Sequence, residues 1–428
     1  MPSRIRVAAI IASVFLAACS QEPTSSLAPE SISSTSLAAN RVVFVDDDAS
    51  PGGDGGNRTP FQSLGEAVAA INGTGGGTIM VAPGVYPVAS TIRLEKSVSI
   101  RGSNVMRANS DGWPSGELLS GTETRVVGTA LLGTATMIVS GKADGTVLSD
   151  VTISNLTIET IAGGGNGLDV IKTQGFTVRD NIIKGAGLFG LTTIASSGRV
   201  RGNYITGVSC GACIGAGNAG SPATVEIDGN RIVNNRLGGL LLNGSGSAIP
   251  ELADQLNVTV TRNDLSHNKT TPRFSFGLRL LVIKQDLGGA FDSQTTGHVS
   301  AVVRNNRIVD NEVGILMDAG FPFRQVGSVV DTRQFTGTLD LSLRGNTVSG
   351  SNLTPAAITF TRVNAAFNQS LLNLWQYLYH STYTIDDPDG SMAGMWIDHP
   401  SHDPISGALL DNHLIYNGTE ALNGRTFP

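Results

Sequence analysis

Aromatic side chains and charge are both scarce in this chain. Only 5% of its 428 residues are Phe, Trp or Tyr, and only 15% are charged. So little charge does not suit a coiled coil, and together with so few aromatics it does not suit a nucleic-acid binder. The net charge of −6 argues against holding a polyanion through bulk charge and leaves only local basic patches open. Long apolar runs are missing as well: the stretch Val7–Leu16 is too short to span a membrane. Glycine is plentiful, at 53 residues, which suits a chain that turns tight corners.

The stretch from Val151 to Arg362 repeats. Six segments share the pattern apolar–x–x–Asn–x–apolar, and they place Asn181, Asn203, Asn230, Asn263, Asn306 and Asn346 at one equivalent position. A seventh, Ile153 to Ile158, fits if Leu156 takes the Asn place. Successive steps are 25, 22, 27, 33, 43 and 40 residues, so the shortest bounds one unit and the others carry insertions. Self-similarity on this scale marks stacked units. The flanking residues are β-branched and alternate at period two, so the units are strands. A Gly-led apolar run follows most of them: Gly167–Val170, Gly190–Thr193, Gly239–Leu242, Gly277–Leu280 and Gly314–Met317. Each repeat thus reads as strand, Asn corner, short strand, turn, Gly-led strand and loop. Stacking pairs every strand with its copy in the next coil and joins the apolar positions into one core. At the corner, an Asn amide can bond backbone groups and its own copies above and below.

This pattern resembles the right-handed parallel β-helix of pectate-lyase-like proteins, which carry an inward asparagine ladder at that corner. The resemblance covers roughly residues 40 to 362. It implies an all-β solenoid and leaves activity open, because that architecture hosts lyases, hydrolases, epimerases and non-catalytic surface proteins. The phrase from Val45-Asp-Asp-Asp through Pro60-Phe-Gln-Ser-Leu to Val81-Ala-Pro-Gly-Val-Tyr86 resembles the opening of many bacterial β-helix proteins. There a helix caps the first coil, whose strands are otherwise bare. Here Phe61 to Asn72 is predicted helical, with Leu64, Ala67, Val68 and Ile71 on one face and Gly73 ending it.

At the N-terminus, Arg4 and Arg6 precede the apolar run, and Leu16-Ala-Ala-Cys19 follows it. This resembles a bacterial lipobox, which implies cleavage to leave Cys19 lipidated; an ordinary signal peptide cut near Ala18 is the alternative. The expected organisation is a signal peptide over 1–19, a Ser/Thr/Pro/Ala-rich tether over 20–40, a capped β-helix over 41–362 and a C-terminal capping or accessory segment over 363–428. Within the last, helical spacing of Leu371, Leu374, Trp375 and Leu378 predicts a helix over Asn364–His380. Export also makes a local disulfide the first reading of Cys210 and Cys213, ahead of a metal or redox pair.

In pectate-lyase-like enzymes the glycan groove runs over the Gly-led sheet. The resemblance therefore implies a site around the outward positions Asp169, Thr192, Leu241, Arg279, Leu316 and Thr359. Asn243, Lys284 and Asp318 lie near the strand ends, and the preceding turn supplies His267, Lys269 and Arg273. A polyuronate lyase neutralises a carboxylate and removes the adjacent proton. Arg279 would neutralise, with Lys284 or His267 as base, and Asp169, Asn243, Lys269 and Arg273 would bind substrate. No cofactor is committed; calcium is the one left open, with Asp318 and Asp169 as ligands, although two scattered carboxylates are a poor set. Leu241 and Leu316 count against a polar groove and suit a face covered by a loop or the C-terminal helix. A second outward column, Arg179, Arg201, Asp228, Thr261, Arg304 and Arg344, reads as a solvated sheet or as a binder of acidic polymer. The expectation is an exported lipoprotein at the outer membrane or cell surface. It is a monomer that meets the membrane only through its lipid, binds no nucleic acid, and faces polysaccharide. Its activity is read first as a lyase or epimerase of acidic glycans, and alternatively as non-catalytic adhesion or glycan binding.

Overall fold

The computed structural model describes residues 41–128, 135–140, 147–161, 165–185, 187–216, 222–246, 255–269, 275–284, 295–311, 313–321, 325–326, 329–330 and 335–349, and strands at 382–386, 395–398, 401–402, 409–410, 413–416 and 425–427. The chain divides into two compact units. The N-terminal one is built on Glu22–Ala212 and Val225–Val233, the C-terminal one on Cys213–Thr224 and Asn234–Pro428.

In the N-terminal unit three parallel sheets wind in turn. The first begins at Val42–Val45 and adds Gly77–Val81, Val98–Arg101, Thr152–Ser154, Thr173–Arg179 and Ser197–Arg201. Its register stacks Val43, Ile79, Ile100, Ile153, Val178, Val200 and Ile227 in one buried file. The second sheet stacks Tyr86, Val126, Ile158, Ile183, Ile205 and Ile232 in the same way. The third stacks Ile92, Met137, Leu168 and Leu191. β-Branched residues dominate the first two files because a pleated strand lets their branches pack on identical neighbours one coil away.

The C-terminal unit repeats the scheme with longer strands. Gln255–Thr261, Thr295–Arg304 and Phe335–Arg344 pair in parallel, then Thr382–Asp386. Gly238–Gly246, Phe276–Lys284 and Val313–Phe321 form a third-sheet counterpart, to which Met395–Asp398 adds in parallel. The coil pattern thus runs past residue 362, with Met395–Asp398 a strand of the Gly-led sheet. Antiparallel strands, Arg425–Phe427 and His413–Tyr416, then close the two sheets. The helix expected over Asn364–His380 lies outside the described residues.

Helix α1, Leu64–Asn72, packs on the first strands of the N-terminal unit and buries Leu64, Ala67, Val68 and Ile71. It starts at Ser63 because a capping box forms there: the Ser63 hydroxyl accepts from the Glu66 N–H, and the Glu66 carboxylate accepts from the Ser63 N–H.

The asparagine ladder is present in both units. Asn203 Oδ1 accepts from the N–H and side-chain amide of Asn181 at 3.0 and 3.1 Å, and Asn230 Oδ1 does the same for Asn203 at 2.9 Å. Leu156 occupies the Asn place in its coil, where its N–H donates to Asn181 Oδ1 at 3.1 Å. In the C-terminal unit Asn306 serves Asn263 and Asn346 serves Asn306 at 2.8–3.0 Å. A second ladder went unread in the sequence: Asn235 donates to Asn268, and Asn268 to Asn311, at 2.9–3.1 Å. The residue before each first-ladder Asn is left-handed: Asp180, Gly202, Gly229, Arg262, Asn305 and Gly345 all have φ between 54° and 64°. The corner needs that conformation, which explains the recurrence of Gly, Asp and Asn just before the ladder residue.

Candidate functional site

On the outer face of the third sheet in the N-terminal unit, Arg93, Ile138, Asp169 and Thr192 share one register column. Alternation puts their neighbours Leu94, Val139 and Val170 into the core and turns this column to the opposite face, where Thr192 is nonetheless buried. Arg93 is exposed. Asp169 is part-buried as a residue, with its carboxyl end closed in. Asn166 donates from Nδ2 to Asp169 Oδ1 at 2.9 Å and to Thr192 Oγ1 at 3.4 Å. Desolvation pushes the Asp169 carboxyl up to about 6, and the bonds from Asn166 and Thr192 only partly oppose it. Its proton is therefore exchangeable near neutral pH, as a general acid or base requires.

The expected catalytic set of the C-terminal unit is not gathered into one groove by the described residues. Leu241, Arg279 and Leu316 share a column, and Asn243, Leu281 and Asp318 share the next one on the same face. Leu241, Asn243 and Leu281 are only 4–6% exposed, so this part of the face is closed. Arg279 lies 5.9 Å from the Phe276 ring centroid, where a guanidinium and an aromatic face attract. Lys284 and Asp318 have described backbones, and their side chains lie outside the described part. Arg273 and Thr359 lie outside the described residues altogether.

His267 and Lys269 stand on a corner, before the strand that carries Arg279. His267 Nδ1 is 2.8 Å from Asp310 Oδ2, and Lys269 Nζ pairs with the other oxygen of the same carboxylate. These bonds, Lys269 first, hold the Asp310 carboxyl below the usual carboxylate range. Both side chains are committed to joining two successive coils. Of the calcium pair, Asp169 belongs to the N-terminal unit and Asp318 to the C-terminal one. The acidic loop Asp46-Asp47-Asp48 brings three carboxylates within 4.8 Å of one another. Asp47 there accepts from the Val85 N–H at 2.8 Å, and Asp46 from the Asp48 N–H at 3.2 Å, which is how a turn is held.

The disulfide expectation is corrected: Cys210 and Cys213 are buried thiols. Both lie on the strand Cys210–Gly215. Side chains three apart on a strand point to opposite faces, so the two sulfurs cannot meet.

Residues 148–353 match the family model described as the right handed beta helix region. The chain is a right-handed parallel β-helix. No curated protein matches its sequence. Solved structures similar to this β-helix include ORF18 of Geobacillus virus E2, at 14% identity over 81% of this chain, TM-score 0.37. A rhamnogalacturonan lyase is 12% identical over 74% of this chain and 75% of its own, TM-score 0.35. The A-module of Azotobacter vinelandii mannuronan C-5 epimerase AlgE4 is 15% identical over 68% of this chain and 84% of its own, TM-score 0.34. The β-helix spans 61% of the length of the viral protein. Likenesses at these identities and scores say nothing of chemistry.

Proposed function

We propose that this β-helix binds polysaccharide and does not cleave it at the constellation its sequence singled out. The outer face of the first sheet in the C-terminal unit supports the reading. Asn257, Thr259, Thr261, Ser300 and Ser342 alternate there with buried Leu256, Val258, Val260, Ala301, Leu341 and Leu343. Hydroxyls and amides at strand spacing offer donors and acceptors to sugar hydroxyls, while the Gly-led face beside Arg279 is closed. The test is affinity electrophoresis against neutral and acidic glycans, run beside an ultraviolet assay for unsaturated product. Retardation without product supports binding; product from any polyuronate restores the lyase, and no retardation by any glycan removes the reading.

One observation favours a second reading, a lyase or epimerase of acidic glycans working on the Gly-led face of the N-terminal unit. It is the Asp169 carboxyl, held by Asn166 and Thr192 and able to exchange a proton near neutrality. Asp169→Asn abolishes turnover on that reading, and any polyuronate-modifying activity that survives the change excludes it. Placement at a cell surface is proposed on the Arg4–Cys19 segment alone. Cys19→Ser then releases the protein from membranes, and unchanged fractionation removes the lipid anchor.

A further inference from the structure

We infer that Arg304 and Arg344 form an anion-binding step for an acidic polysaccharide on the first sheet of the C-terminal unit. The inference rests on the polysaccharide reading and names the class of glycan and the place. The two residues are directly in register on neighbouring parallel strands, Thr295–Arg304 and Phe335–Arg344. Both point outward and are exposed, since Val303 and Leu343 beside them are wholly buried. Parallel strands lie about 4.8 Å apart, so two like charges face each other at close range, an arrangement that costs stability.

Two arginines of the same outer column in the N-terminal unit are neutralised, Arg179 and Arg201, and so is Arg199 two residues earlier on the same face. In the N-terminal unit Arg179 pairs with Asp180 at 2.6 Å, Arg199 with Glu226 at 3.0 Å and Arg201 with Asp228 at 3.5 Å. No described carboxylate pairs with Arg304 or Arg344. On the adjoining strand Asp386 faces Ser342, two positions from Arg344, and Asp340 is engaged by His298 at 2.7 Å. Small residues flank the step, Thr261 one coil before Arg304 and Ser342 on the strand of Arg344, so a chain can lie flat over it. The protein carries a net charge of −6, so attraction here is local. A guanidinium offers a planar pair of donors that fits a carboxylate or sulfate bidentately. Two of them one strand apart present that fork twice to a polymer bearing an acid group on each sugar.

The experiment measures binding of the full chain to immobilised polygalacturonate and to dextran at low salt. Arg304→Gln and Arg344→Gln are compared singly and together, with Arg199→Gln as the control from a neutralised pair. All are exposed positions, and unfolding midpoints check that each variant is folded. Expected is a loss of about tenfold in polygalacturonate affinity for each single change and about a hundredfold for the double change. Dextran binding and the Arg199→Gln affinity stay as in the wild type. A double variant that binds polygalacturonate as tightly as the wild type overturns the step while polysaccharide binding stands. A wild type that holds neither glycan overturns both. Arginine-dependent binding to anionic lipid vesicles, with none to polygalacturonate, overturns the glycan assignment.

Discussion

Asn203 shows what one buried amide does in this fold. Its Oδ1 accepts two bonds from Asn181, and its Nδ2 donates to Asn230 Oδ1 and to the Val178 carbonyl at 2.9 Å each. Asn203→Ala leaves several buried groups without partners at once. The expected loss is about 3 kcal/mol or more in chemical denaturation, and a loss under 1 kcal/mol would show that water replaces the ladder. Asp169 makes the opposite expectation. Its folded pKa, about 6, lies above the ordinary aspartate value of 3.8, so the protonated form is the one the fold favours. That contribution is complete below 3.8 and disappears as pH rises through 6. Asp169→Asn should therefore stabilise the protein above pH 6 and lose the advantage near pH 4, read from melting temperatures across that range. A variant less stable at every pH would contradict the burial argument. Backbone strain gives a third expectation, at Ala195, whose φ is 50°. Ala195→Gly removes the left-handed penalty against a smaller entropy cost, for a net gain of up to about 1 kcal/mol.

At the scale of elements, the first ladder was legible because an Asn every coil interrupts an apolar pattern that has no other use for it. The second ladder was equally written, since Asn235, Asn268 and Asn311 each sit five residues after a first-ladder Asn. It was missed because that stretch reads as an ordinary polar turn. The coils at Thr382–Asp386 and Met395–Asp398 were missed for the reverse reason: residues 387–400 contain no Asn to mark a corner. The cysteine reading weighed compartment over geometry, and the strand offset decided otherwise. Helix α1 was legible down to its buried face, and its start at Ser63 follows from the capping box. Ser63→Ala should cost about 1 kcal/mol, since Glu66 loses the acceptor for its N–H. An unchanged unfolding midpoint would mean that the helix is held by packing alone.

For the whole molecule, sequence pattern carried the architecture much further than the site. A solenoid reports its coils because every coil must satisfy the same packing and the same corner. A binding face has no such period, and a residue's place on the sheet does not say whether its side chain is already spoken for. His267 and Lys269 illustrate the gap, since both sit where a groove wall was expected and both are spent on Asp310. Arg304 and Arg344 illustrate its converse, because only the pairing of their counterparts Arg179 and Arg201 makes their lack of a described acid informative. The most direct measurement is equilibrium binding of the intact chain to a panel of neutral and acidic glycans, with ultraviolet absorbance followed in the same samples. Saturable binding of an acidic glycan with flat absorbance is the expected result. Rising absorbance, or no binding to any member of the panel, would contradict it.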